Sequence, residues 1–166
     1  MPVSGSIWVR FRHDTEEATA SGVYGLIIGG AVLAASHAER AARVVIAVLA
    51  TLTIYWAAER YARIVAERIH EGHRPAWHTV RRQLTTGWEM VTASGLPLLV
   101  LIGFRSAGAR LATAEIAALV CTTALLCLSG WRIGAGGRLT PRERLVSTLV
   151  AGTFGAALIV LKTLLH

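Results

Sequence analysis

Between Val44 and Ala58 the chain has no charged residue, and from Glu59 to Glu71 charges recur every few positions, with no helix breaker before Gly72. At about 1.5 Å per residue, a single helix over Val44 to Glu71 is roughly 42 Å long. That exceeds the roughly 30 Å hydrocarbon core of a bilayer, so its charged end must leave the membrane. Its charged half is amphipathic. A spacing of four puts Tyr55, Glu59, Arg63, Glu67 and Glu71 on one face, while Tyr61, Ile64, Val65 and Ile69 form an apolar stripe. Outside the membrane such a stripe calls for a partner surface, and the same helix of a second copy is the expected one, making the protein a homo-oligomer.

Four more apolar runs complete the pattern, giving spans at about 20–36, 44–61, 88–104, 111–131 and 145–165. The fold class predicted is all-α, a polytopic integral membrane protein. Residues 1–166 make one membrane domain of five transmembrane helices, the second extended into the cytoplasm through 62–87. Asp14 and Glu17 have the spacing of a capping box that would start the first helix. Gly25 and Gly29 form a GxxxG that lets another backbone approach. In the third run Ser94, Gly95 and Pro97 predict a kink, because proline supplies no backbone donor. The segment RIGAGGRLTPRER reads as a Gly-rich connector between the last two spans.

Charge then orients the bundle. With five spans, twelve basic residues fall on the N-terminal side and five on the other, so the N-terminus is expected in the cytoplasm and the C-terminus outside. The absence of organelle-targeting features fits a bacterial plasma membrane. Although the formal charge is +7, the arginines gather in connecting segments, which argues for lipid bilayer and anionic lipid headgroups as partners and against nucleic acid. Cys121 and Cys127 lie on different faces of one run, too far apart to bond to each other.

For chemistry, Glu59, Glu67, His70, Glu71 and His73 supply oxygen and imidazole ligands on consecutive turns, a set suited to a divalent transition metal as cargo. The competing reading is a salt ladder of Glu59, Arg63 and Glu67 that solubilises a protruding helix. Glu59 and Glu89 sit near the inner edges of their spans, where an ionisable group is costly unless paired or functional, and are the candidates for an ion path. Glu115 and Lys162, near the outer helix ends, are expected to reach the headgroups as anchors. There is one aspartate and no zinc-protease, nucleophile-elbow or phosphate-loop pattern, so an enzyme is not expected.

VYGLIIGG at Val23 to Gly30, AAERY at Ala57 to Tyr61, and LCLSGW followed by a basic turn and AGTFGAALIV resemble the vacuolar iron transporter family. The resemblance implies five spans, a cytosolic N-terminus, Glu59 as the membrane carboxylate on the ion path, and Glu67, His70, Glu71 and His73 as cytosolic metal ligands. Ile28 stands where that family has an acidic residue before the first-span glycine. Two functions are therefore expected as alternatives: transport of a cation or proton, or a non-transporting interaction or scaffold role in which the helix of residues 44–71 docks partners.

Overall fold

The computed structural model describes residues 4–71, 88–136 and 140–165, with the side chains of 19–66, 88–132 and 140–165. Every element among them is a helix: α1 (Ser4–Ala35), α2 (Ala41–Glu71), α3 (Glu89–Ala93), α4 (Gly95–Ser106), α5 (Leu111–Gly136) and α6 (Pro141–Leu165). Among the described residues four helical stretches are long and apolar enough to cross a membrane, namely Ala41–Ala66, Glu89–Ser106, Leu111–Arg132 and Pro141–Leu165; Thr19–Ala35 is apolar but shorter.

The distribution of apolar residues is inside out relative to a water-soluble bundle. Ile46, Ile54, Leu99, Val120, Leu149 and Phe154 are among many large apolar side chains that stand exposed on the helices. In water each would forfeit roughly 1.5–3 kcal/mol relative to burial, a cost that lipid removes. Composition and surface alike suit helices that lie in a bilayer.

α1 is the hub, touching α2, α3, α5 and α6, while among the described residues α2 packs mainly on α1, α3 and α4. Two apolar clusters fill the interior. One joins Leu33, Val44, Leu101, Leu119 and Leu158; the other joins Val48, Leu52, Met90 and Leu98.

Glycines set the spacing of α1. A Cβ on Gly25 would collide with the backbone carbonyl of Met90, and one on Gly29 would lie 2.7 Å from Ser94 Oγ. The GxxxG face therefore receives α3 and Ser94 inside this chain, as close packing requires. The Glu89–Ser106 stretch breaks at Ser94, three residues before Pro97. Pro97 has no N–H to donate to the carbonyl of Ala93, and its ring crowds that carbonyl, so the ladder opens one turn earlier than the proline itself.

Two helix starts differ from expectation. α1 begins at Ser4, so Asp14 and Glu17 lie inside the helix and do not start it. The TPRER part of the expected connector is instead the start of α6. The Thr140 backbone N–H donates to Glu143 Oε2 at 2.7 Å, and the Glu143 N–H reaches Thr140 Oγ1 at 3.5 Å, with Pro141 as the first helical residue.

Candidate functional site

The polar half of α2 is described as far as Ala66, so of the proposed metal ligands only Glu59 has a described side chain. Glu67, His70 and Glu71 have no described side chains, and His73 lies outside the described residues altogether. Glu59 Oε1 accepts from the Arg63 guanidinium at 2.7 Å, the i,i+4 rung expected of a salt ladder. Its Oε2 is enclosed and has no hydrogen-bond partner among the described residues. Glu89 is exposed at the start of α3, and no group of three His, Cys, Asp or Glu gathers among the described residues as a metal site would require. The Trp56 and Trp88 rings lie 5.3 Å apart and tie α2 to the start of α3.

At the opposite end, the structure corrects the expectation for Glu115 and Lys162. Neither reaches outward. Lys162 Nζ lies 2.7 Å from Glu115 Oε2, and both side chains are only 5% exposed. The same ammonium donates to the Ser36 carbonyl at 2.9 Å, just past the end of α1. One lysine therefore clamps α1, α5 and α6 together. A charge held among apolar helices lowers its free energy by meeting an opposite charge and a helix-end carbonyl. His37 adds a second tie, with Nε2 placed 3.3 Å from the Leu165 carbonyl and Nδ1 2.9 Å from that of Ala35.

Between these ends, the Ser94 hydroxyl donates to the Gly25 carbonyl at 3.0 Å in the buried interior. Beside it lies a void of about 10 Å³, room for about one water, lined by Gly29, Gly30, Val48, Ser94, Pro97 and Thr122 among others. Glu59 does not line it.

The remaining feature is the back of α2. Ala47, Ala50, Ile54, Ala57 and Tyr61 are all exposed, at alternating spacings of three and four. That is the a/d pattern of a helix seam, pointing directly away from the buried Val48 and Leu52. Three of its five positions are alanine, which permits close backbone approach in a membrane. Of the apolar stripe expected to hold a second copy, Tyr61 is exposed, Ile64 and Val65 are half-buried, and the side chain of Ile69 is not among those described. Sequence spacing alone carries the a/d signal, beside the more conspicuous charge pattern of residues 59–71 in the same helix.

No protein-family model, curated protein or solved structure matches the chain.

Proposed function

We propose that this membrane protein is an interaction module that assembles with copies of itself through the back of α2, and whose helix extension then docks partners as a rod. The a/d seam of Ala47, Ala50, Ile54, Ala57 and Tyr61, left uncovered by the other described residues, carries the reading. Lipid provides little hydrophobic drive between helices, so association depends on close fit, and a small-residue seam supplies it. In this reading five spans cross the membrane, with the N-terminus on the cytoplasmic side that collects twelve of the seventeen basic residues. Replacing Ala50 and Ala57 together by leucine is expected to reduce the subunit number of the protein in lipid nanodiscs to one. An unchanged mass would sink the α2 contact.

A second reading is transport of a cation or proton along Glu59 and Glu89, in keeping with the resemblance to vacuolar iron transporters. One observation favours it: the enclosed Glu59 Oε2, which accepts no hydrogen bond among the described residues, is the type of oxygen on which a proton or cation rests. Proteoliposomes tested with a panel of cations should then show flux above empty liposomes that Glu59→Gln abolishes. Flux indistinguishable from empty liposomes removes this reading.

A further inference from the structure

We propose that the end of the bundle formed by the last turns of α5 and the first turns of α6 is a binding surface for acidic phospholipid headgroups, held by Arg132, Arg142 and Arg144. The two helices run antiparallel and cross closely there, since a Cβ on Gly130 would lie 2.9 Å from the Ser147 carbonyl. Arg132 lies two residues beyond Gly130, and Arg144 three before Ser147. At about 1.5 Å per residue the two arginines reach the same level along the bundle to within about 2 Å.

Both helices change character at that level. On α5, Val120, Ala124 and Leu128 form an exposed stripe at a spacing of four, and Arg132 is its next position. On α6, Arg142 begins the corresponding exposed stripe that continues through Val146 and Val150. An acyl chain lying on either stripe places its phosphate beside the arginine at the top. Trp131, half exposed, sits at the same boundary, as interfacial tryptophans do.

Charge selects the headgroup. None of the three arginines makes an ion pair among the described residues, and the Nε of Arg144 is enclosed without a hydrogen-bond partner. The one carboxylate on these turns, Glu143, is occupied by the Thr140 cap. A phosphodiester with net negative charge meets these guanidinium groups, whereas a zwitterionic headgroup brings its own cation against them.

The test is native mass spectrometry of the full chain in detergent, titrated with phosphatidylglycerol or with phosphatidylcholine of the same acyl chains. The wild type should retain phosphatidylglycerol preferentially, and the preference should fall about fivefold for each arginine changed to glutamine at 132, 142 and 144. The triple change to lysine should keep most of it, and the pair Arg105→Gln and Arg110→Gln, at the other end of the bundle, should leave it intact. Equal retention of the two lipids by the wild type, or an undiminished preference in the triple glutamine variant, overturns the proposal. So does displacement of the lipid by millimolar inorganic phosphate, which would identify a site for a free anion.

Discussion

Changing Lys162 to methionine is expected to lower the stability of the folded bundle by about 3–5 kcal/mol, the usual cost of leaving one member of a buried ion pair alone. Two groups lose their partner at once: the Glu115 carboxylate, 5% exposed, and the Ser36 carbonyl at the end of α1. The loss should appear as a large drop in melting temperature in mild detergent, with α1 released from α5 and α6 at that end. Adding Glu115→Leu to Lys162→Met should recover most of it, because the pair as a whole gains little over well-packed apolar side chains. If the single variant melts like the wild type, the clamp holds nothing.

Gly25→Ala is expected to destabilise by about 1–3 kcal/mol, the usual cost of forcing extra volume into a packed interior. The added methyl meets the Met90 carbonyl, which is backbone and cannot swing aside as a side-chain tip would. α1 and α3 must part, and the Ser94 hydroxyl loses its place against the Gly25 carbonyl. Gly22→Ala makes the internal comparison. Its methyl meets only Ala93 Cβ at 3.8 Å, an ordinary contact, so the better helix propensity of alanine, worth up to about 1 kcal/mol, should leave the protein equally or more stable. Opposite shifts in melting temperature for two glycines three residues apart identify the crossing point. Equal shifts would mean that α1 and α3 do not approach as described.

These two sites also show what the chain discloses by itself. Apolar run lengths and breakers were enough to predict an all-helical membrane protein, and GxxxG together with SGLP foretold a close crossing and a kink. Neither could say which helix fills the glycine face, because that depends on how α3 is aimed after residues 72–87. The Glu115 to Lys162 pair carried a usable signal: two lone charges of opposite sign inside apolar runs of neighbouring antiparallel helices. Treating each as an anchor overlooked that a helix end can be enclosed by its neighbours, as this one is by α1. The Thr140 to Glu143 cap was legible too, since Thr-Pro-Arg-Glu has both the box spacing and the proline. The metal-ligand reading depended on residues 67–73, of which no side chain is described, so Glu59 alone keeps a described role, in its pair with Arg63.

Self-assembly through the back of α2 is most directly tested by single-cysteine cross-linking in native membranes, with Cys121 and Cys127 first replaced by alanine. Cysteines placed one at a time at Ala47, Ala50, Ile54, Ala57 and Tyr61 should form disulfide-linked dimers at high yield on mild oxidation. Cysteines at Leu49 and Tyr55, exposed on the flanks of the same helix, should stay largely monomeric. A yield that rises and falls with the three-four spacing is the result expected of a helix seam. A yield uniform around the helix, or no dimer at any of the five positions, would contradict it.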